Sequence, residues 1–412
     1  MSTPSSPSPR GSGRGKRVTI ADIAARAGVT SAAVSLAVNG RPGVSDATRA
    51  RILEIARELH WEPSPSARAL AGAPVLSIGM VLARPAEVLG NEAFFGAFSA
   101  GLQDVLSAQD YSLQMKIVQS VEAEIDTYRR WFAQRRVDGI VMVDLQLDDP
   151  RIPALEELGR PALVIGGPGH HGTLPSVYVD DALATRLIVE HLAGLGHQRI
   201  ARVAGTRGYH HTAQRDDAFL AVCAERGVTG TLHEAGFGAV GAARTVTELI
   251  ASDAPPTAIV LDSDEMARAG AHVLQESGIA IPDQVAIASY EDSPLARMHR
   301  PPLTAIGRSA VEYGRRAAHR LLELIEEDRV SRRGGGAAGA GLASGAEGDA
   351  PAGAAGGPDG PEGAPAHPEL RAIAPELLIR ASTDPDAATD PLLLALDEAS
   401  AAAPSETTVD RG

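Results

Sequence analysis

The first seventy residues show apolar positions at helical spacing, interrupted by turn residues. The apolar residues of the first predicted helix lie three and four apart: Ile20, Ile23, Ala24 and Ala27. Thr19 precedes this helix and Gly28 follows it, which favours an N-cap and a left-handed C-cap. Thr30 can cap a second helix over Ser31–Val38, and Ser45 can cap a third. The pattern therefore predicts three short helices with a tight turn between the first two.

Three such helices are typical of a helix-turn-helix DNA-binding domain, which we predict for residues 18–62. Hydroxyl and amide side chains gather at the helix ends, where they and the helix N-termini can contact phosphate. The alternative is a small helical domain in which these groups are only caps. The predicted DNA-contacting residues of this domain are Thr19, Thr30, Ser31, Ala32, Ser35, Leu36, Asn39, Ser45 and Thr48.

From Leu76 onwards, short aliphatic runs alternate with helical patterns. The runs predicted as buried parallel strands are LSIGMVLA, LQMKIV, GIVMVD, ALVIGG, RIARVAG, AIVLD and VAIASY. This alternation predicts an α/β fold with doubly wound parallel sheets, in which ligands bind beyond the carboxyl ends of the strands. The acidic residues at these ends are either site residues or caps of the following helices: Asp144, Asp180, Asp181, Asp262, Asp264, Glu291 and Asp292.

Charge divides the chain at the same place. Residues 1–73 carry ten Lys and Arg against five Asp and Glu, a net charge of +5, whereas the whole chain carries −14, so the remainder carries −19. A basic head on an acidic body suits a protein that meets DNA with one end only. The single cysteine, Cys223, allows no internal disulfide, and its helical context predicts a buried apolar residue.

Four segments outside these two regions have distinct compositions. Residues 1–17 predict a disordered basic arm, and residues 331–367 predict a flexible insertion, because they hold twelve Gly and eleven Ala without a β-branched or aromatic residue. Residues 386–412 form an acidic tail that contains Leu392 and Leu396. Residues 63–74 predict a hinge helix that is too short to be stable alone and would fold when paired with its copy on DNA.

The chain resembles the lactose-repressor/purine-repressor family of bacterial transcription factors. The matching segments are VTIADIAARAGVTSAAVS, NGRPGVSDATRARI, ARALAG and PELLIRAST. The resemblance covers roughly residues 18–383 apart from the insertion, and it implies a homodimer with a helix-turn-helix head, a hinge helix and a two-lobed core like a periplasmic sugar-binding protein. It also implies that Ala67 and Leu70 contact the minor groove, where Leu70 pries open a base step.

The resemblance also implies DNA and effector contacts, with some departures. Leu36 stands where relatives often carry an arginine, so we expect little arginine-type reading of guanine and a larger part for DNA bending. The implied effector-binding residues are Phe94, Phe95, Arg215, Ser263, Asp264 and Glu291. An arginine and carboxylates around an aromatic floor suit a sugar or sugar derivative. Ser263 and Glu291 differ from the usual Asn and Asp, which leaves a ligand other than a sugar open.

Other classes of function find little support in the residues. The pairs His170–His171 and His210–His211 lack Cys or carboxylates at metal-ligand spacing, and we expect them to be solvated loop residues. We predict no cofactor, no metal and no catalytic residues. No signal peptide or membrane-spanning stretch stands out, so we expect a cytoplasmic protein.

The sequence thus predicts a DNA-binding transcriptional regulator, most readily a repressor, that is controlled by a small effector and binds a two-fold symmetric double-stranded DNA operator as a dimer. The apolar run of the tail could support a tetramer, but it is too brief to decide between a dimer and a tetramer. A solute-binding receptor and an α/β enzyme with an accessory DNA domain are the alternatives.

Overall fold

The computed structural model describes residues 18–62, 74–85, 93–338 and 370–387. The chain forms two compact units that divide between Val75 and Leu76. The predicted arm, nearly all of the predicted hinge with Ala67 and Leu70, most of the insertion and nearly all of the tail lie outside the described residues.

The first unit is a head of three helices: α1 (Ile20–Ala27), α2 (Ser31–Val38) and α3 (Asp46–Glu58). Each helix begins at the predicted cap. The side chains of Thr19, Thr30 and Ser45 each accept a hydrogen bond from a backbone N–H of the first turn. Gly28 has a φ of 65° at the end of α1, which is the left-handed conformation that glycine adopts readily. The residues of its core come from all three helices: Ile23, Ala24, Ala27, Val34, Ala37, Ile52, Ile55 and Ala56.

The second unit contains two six-stranded sheets. Their strands are β1 (Ser77–Leu82), β2 (Ser112–Ile117), β3 (Gly139–Met142), β4 (Ala162–Ile165), β5 (Ser176–Val179), β6 (Arg199–Ala204), β7 (Thr229–Glu234), β8 (Ala258–Leu261), β9 (Ala286–Ser289), β10 (Thr304–Gly307), β11 (Leu370–Ile373) and β12 (Glu376–Leu378). The helices between them are α4 (Ala93–Ser107), α5 (Val121–Ala133), α6 (Arg151–Leu158), α7 (Asp181–Gly194), α8 (His210–Arg226), α9 (Ala239–Ile250), α10 (Asp264–Glu276), α11 (Pro294–Met298) and α12 (Ala310–Ala338).

Each sheet belongs to one lobe. The first lobe has the strand order β11-β5-β4-β3-β1-β2 and the second has β12-β10-β9-β8-β6-β7. All neighbouring strands are parallel except β10 and β12, which are antiparallel. The chain passes between the lobes after β5, after β10 and after β11, since its strands change sheet at those points. The predicted doubly wound α/β fold is confirmed.

Helices pack on both faces of each sheet, and successive strand residues point to opposite faces, so the central strands contribute to two cores. In the first lobe, Met80 of β1 packs beneath α4 and α12, whereas its neighbour Val81 packs on the other face with Trp131 of α5. The second lobe shows the same division, with Val260 and Ile259 of β8 on opposite faces. These two layered cores explain why the strands are near-continuous aliphatic runs.

Two glycines let α4 and α12 approach closely. A Cβ atom at Gly101 would lie 1.9 Å from the carbonyl oxygen of Val311, and one at Gly314 would lie 2.2 Å from that of Phe98. Only a residue without a side chain allows these contacts. The two glycines therefore let α12 pack directly against α4 of the first lobe.

The fold contains four strands that the aliphatic runs did not indicate, β5, β7, β10 and β11, and it corrects two further expectations. Strand β2 is an edge strand, and Met115 and Ile117 are about half exposed rather than buried. The predicted insertion at 331 begins later than expected, because α12 continues to Ala338. Arg332 supports this continuation: it pairs with Asp328 one turn earlier at 2.7 Å and donates to the carbonyl of Gly159 at 3.2 Å.

In the described ranges no single helix has the length and apolar character needed to cross a membrane, while α1 and α2 together pass that test but are bent by 103°.

Candidate functional site

The head presents a surface built from small polar side chains. The axes of α1 and α2 meet at 103°, within the usual range of the helix-turn-helix motif. On α2, Ser31, Ala32 and Ser35 are exposed, whereas Val34 and Ala37 point into the core. The predicted DNA-contacting residues Ser31, Ala32 and Ser35 therefore share one accessible face.

The other predicted DNA-contacting residues of the head already have local partners. Thr48 shares a hydrogen bond of 2.9 Å with the cap residue Ser45, and the Asn39 amide donates to the carbonyl of Ser35 at 2.7 Å. Leu36 is half-buried, and its Cδ1 lies 3.2 Å from the point that a Cβ at Gly43 would occupy. Contact of these residues with DNA stays a prediction.

Two arginines of α3 hold the ends of the preceding helices, a role that sequence reasoning missed. Arg49 donates to the carbonyls of Ala37 at 2.9 Å and Arg41 at 2.6 Å, and Arg51 donates to the carbonyl of Ala27 at 2.7 Å. Cations at helix C-termini satisfy the last carbonyls and oppose the helix dipole. These bonds position α2 relative to α3.

The second unit contains a cavity between its two lobes, at the carboxyl ends of the parallel strands. It holds about 800 Å³ of space free of atoms, counted out to the solvent at its mouth. Its lining residues come from both lobes: Arg84, Phe94, Phe95, Val143, Asp144, Leu145, Ile165, Gly166, Val179, Asp181, His210, His211, Arg215, Phe237, Asp262, Ser263, Glu291, Arg308 and Tyr313. The site lies where doubly wound sheets commonly bind ligands.

Of the six predicted effector residues, the cavity brings together Phe94, Phe95, Arg215, Ser263 and Glu291. Ser263 also caps α10, so this residue both lines the cavity and begins a helix. Asp264 is not among the lining residues. It is buried and accepts a hydrogen bond of 2.5 Å from Ser293.

A buried ion network forms the wall of the second lobe. Arg215 donates to Asp181 at 2.7 Å and to Asp262 at 3.1 Å, and its guanidinium stacks 4.4 Å from the centre of the Tyr290 ring. Arg202 lies behind it and donates to the same Asp262 at 2.7 Å. Burial would raise the pKa of Asp262, but the charges of Arg202 and Arg215 outweigh it and hold that pKa below its usual value. The same balance, set chiefly by Arg215, lowers the pKa of Asp181.

Arg84 of the first lobe lies against aromatic residues of both lobes. It follows β1 and donates two hydrogen bonds to Asp144. Its guanidinium carbon lies 5.3 Å from the Phe95 ring centre, 5.0 Å from that of Tyr209 and 5.2 Å from that of Phe237. Tyr209 and Phe237 belong to the second lobe, so this side chain links the lobes.

Backbone hydrogen bonds reinforce that link. The N–H of Leu147 donates to the carbonyl of Gly208 at 3.1 Å, and the N–H of His210 donates to the carbonyl of Leu145 at 2.8 Å. The two segments form an antiparallel bridge between Gln146 and Tyr209. The lobes are thus joined across the cavity wall as well as by the three chain crossings.

A second buried network supports Arg84 and Asp144 from behind. Arg151 is almost fully buried and bonds with Glu124, Asp149 and the backbone carbonyl of Asp144. Glu124 also accepts the N–H of Ala83, next to Arg84. Sequence reasoning missed this cluster, because its members lie far apart in the chain.

Glu291 and Arg308 form the third charged pair at the cavity, with Nη2 and Oε1 3.3 Å apart. Burial raises the pKa of Glu291, and the charge of Arg308 offsets this only in part. Arg308 also lies over the Phe94 ring, 5.7 Å from its centre. Arg84 and Arg308 each follow the end of a strand, and this position in the sequence could have predicted them as cavity residues.

The histidine prediction is wrong for three residues. His171 is buried with Nδ1 2.9 Å from the carbonyl oxygen of Leu174, while His210 and His211 open α8 and line the cavity. Burial lowers the pKa of His210 to about 4 and that of His211 to about 3, so both are neutral near neutral pH. Among the buried polar atoms of the described residues, Nδ1 of His210 has no hydrogen-bond partner. The described residues include no group of His, Cys, Asp and Glu able to hold a metal ion.

Comparison with known proteins agrees with this architecture. Residues 19–64 match the model of bacterial regulatory proteins of the lacI family, and residues 189–334 match that of the periplasmic binding protein-like domain. The HTH-type transcriptional regulator AglR of Rhizobium meliloti (strain 1021) is 30% identical over 317 residues, which cover 74% of this chain and 87% of the relative.

Two solved structures share the fold. The lac repressor dimer bound to operator and the anti-inducer ONPF has a TM-score of 0.71 at 23% identity, over 89% of this chain and 99% of that one. The complex of the transcriptional regulator CelR with cellobiose has a TM-score of 0.61 at 23% identity, over 89% of this chain and 100% of that one. The predicted resemblance is confirmed: the chain belongs to the lacI family of bacterial regulatory proteins and is a DNA-binding transcriptional regulator.

Proposed function

We propose that this regulator is a repressor whose DNA binding is controlled by a small sugar or sugar derivative in the cavity between the lobes. The observation that carries the proposal is the cavity lining, where carboxylates and arginines stand beside Phe94, Phe95 and Phe237. Carboxylates accept hydrogen bonds from hydroxyl groups, and aromatic rings pack against the apolar face of a sugar ring. The cellobiose complex of the structurally similar CelR supports a sugar as ligand.

The cavity position explains how a ligand would act on DNA. A ligand that contacts Arg84 and Asp144 of one lobe and Arg215 and Glu291 of the other favours the arrangement of lobes that suits it best. In a dimer this arrangement would set the separation of the two heads. Effector affinity and DNA affinity are then reciprocally coupled.

We further propose a homodimer on a two-fold symmetric operator. The lac repressor dimer bound to its operator supports this arrangement, as it has the same fold. The small exposed face of α2, with Ser31, Ala32 and Ser35, favours reading by small side chains over the paired arginine–guanine contact. We propose that Leu70 pries open the central base step, a role that the family resemblance implies.

The two alternatives account for less of the molecule. A solute-binding receptor explains the two lobes but not the head, and an α/β enzyme with an accessory DNA domain needs catalytic groups, of which the sequence predicts none. The relatives that support the family are regulators, which favours a protein without catalysis that acts in the cytoplasm, where it meets DNA.

Titration calorimetry of the full chain against a panel of carbohydrates and purines tests the effector proposal. We expect at least one carbohydrate to bind and Asp262→Asn to weaken that binding. Binding of a purine with no binding of any carbohydrate would overturn the sugar assignment while leaving the regulator itself intact.

A further inference from the structure

We propose that the cavity selects an uncharged sugar and excludes sugar acids and sugar phosphates, and that Glu291 is the residue that sets this selection. The inference rests on the proposed function and deepens it, because it names the charge class of the effector. It follows from the pairing of each arginine on the cavity lining with a carboxylate of the protein.

Among the described residues, three arginines line the cavity, and each is paired with a carboxylate of the protein. Arg84 donates to both oxygens of Asp144, at 2.7 and 2.9 Å. Arg215 bonds with Asp181 and Asp262 at 2.7 and 3.1 Å. Arg308 bonds with Glu291 at 3.3 Å.

Carboxylates outnumber arginines on this lining. The four acids are Asp144, Asp181, Asp262 and Glu291, against three arginines on the lining, and Arg202 behind it, which bonds with Asp262, only brings the charges level. The neutral imidazoles of His210 and His211 add no positive charge to balance a ligand anion. An entering carboxylate or phosphate would meet like charges in an enclosed space, where screening by salt is weak.

An anion that bonds to the remaining N–H groups of one of these arginines adds a negative charge beside the carboxylate already there, and an anion that displaces the carboxylate separates the pair. Separation of a buried ion pair leaves one charge without compensation, and this is strongly unfavourable. A hydroxyl group has no such requirement, because the Asp144 and Glu291 carboxylates keep further lone pairs that accept hydrogen bonds, whereas those of Asp262 are taken within the protein. Nδ1 of His210, which is buried without a partner, offers a further neutral contact.

The pair of Glu291 and Arg308 is the point at which this selection can be changed. Its separation of 3.3 Å is the longest of the three, and its side chains are more exposed than those of Arg215 and Asp262. Neutralising Glu291 leaves Arg308 at the cavity without its protein carboxylate. A ligand anion could then take the place of that carboxylate.

Calorimetry of the full chain with matched ligands tests this inference. The pairs are glucose with glucuronate, galactose with galacturonate, cellobiose with cellobionate, and glucose with glucose 6-phosphate. We expect the wild type to bind the neutral member of a pair at least about tenfold more tightly than its anionic partner. We expect Glu291→Gln to reduce that ratio by about tenfold. The control Glu312→Gln removes an exposed carboxylate of α12 and should leave the ratio unchanged.

Each outcome decides a different point. Equal or tighter binding of the anionic partners by the wild type overturns the inference while the sugar proposal stands. An unchanged ratio in a folded Glu291→Gln protein overturns the role of Glu291. If that variant binds no sugar at all, the role of Glu291 is tested with Glu291→Asp, whose shorter carboxylate should keep the preference for neutral ligands. The wild-type ratios then test the inference itself. If no member of these pairs binds, the neutral and acidic forms of the carbohydrate found in the panel replace them, and a panel without any carbohydrate ligand defeats the carbohydrate proposal and this inference with it.

Discussion

Arg84 and Asp144 form a doubly hydrogen-bonded ion pair, with the Arg84 Nε and Nη2 atoms 2.7 and 2.9 Å from the two carboxylate oxygens. The same guanidinium lies against Tyr209 and Phe237 of the other lobe. One side chain therefore neutralises a charge of its own lobe and contacts the second lobe. Arg84 therefore connects the two lobes and also lines the cavity.

We expect Arg84→Ala to lower the free energy of unfolding of the core by about 3 kcal/mol, because it leaves the Asp144 charge largely enclosed without its partner. The double variant Arg84→Ala, Asp144→Asn should lose less than the single variant, since no unpaired charge remains. Denaturant unfolding of both proteins measures the difference. A double variant that is less stable than the single one would contradict the pairing argument.

The contact between α4 and α12 predicts a strong effect at Gly101. Gly101→Ala should destabilise the first lobe by about 2 kcal/mol or more, because the new methyl group overlaps the carbonyl of Val311. Gly96→Ala is the matched control in the same helix, since a Cβ there meets nothing within 4 Å. It should be neutral or stabilising by less than about 1 kcal/mol. Thermal unfolding distinguishes the two, and similar losses for both would contradict the close-packing account.

The cavity histidines predict a loss of stability in mild acid. Burial holds the pKa of His210 at about 4 and that of His211 at about 3 in the folded protein, below the ordinary value of 6.5. At pH values between the folded and the unfolded pKa of each histidine, the unfolded chain binds more protons than the folded protein. The free energy of unfolding therefore falls as the pH falls through about 6.5. We expect the two histidines together to cost about 4 kcal/mol between about pH 7 and pH 5, about 2 kcal/mol each.

The measurement compares denaturant unfolding of the wild type with that of His210→Gln, His211→Gln at both pH values. The comparison cancels the contributions of acidic groups that both proteins share. The variant should lose less stability on acidification than the wild type. Equal pH dependence in the two proteins would show that these side chains are not held neutral.

In the head, the bonds from Arg49 to the carbonyls of Ala37 and Arg41 predict a local effect. Arg49→Ala should speed amide hydrogen exchange in α2 by about tenfold, because two charge-assisted hydrogen bonds are lost. Arg57→Ala removes an exposed arginine of the same helix and should change exchange little. Exchange in α2 that responds equally to both changes would contradict the capping role.

Local signals predicted the head well, because its structure depends on neighbouring residues. Thr19, Thr30 and Ser45 act as caps within one turn of their own helices, and Gly28 ends α1 where its φ is positive. The alternation of aliphatic runs and helices likewise predicted the doubly wound core. The edge position of β2 was not predictable in this way, because it depends on strand order and not on composition.

The cavity was predictable in part. The strand-end rule and the family resemblance pointed to Arg215, Ser263 and Glu291, which line it. His210 and His211 were misjudged, because flanking glycine and threonine indicate a loop while the structure uses these residues to begin α8. The support of Asp144 by Arg151 depends on packing between distant segments, for which a single sequence carries no signal.

The most direct test of the account measures binding of the full-length protein to DNA from its own upstream region, with and without the sugar that calorimetry identifies. We predict a symmetric protected site, an affinity that falls steeply with salt, and a change of at least about fivefold when the sugar is added. The change should disappear in Asp262→Asn, which is expected to weaken sugar binding. An operator affinity that stays the same when the cavity is saturated with sugar would contradict the central claim.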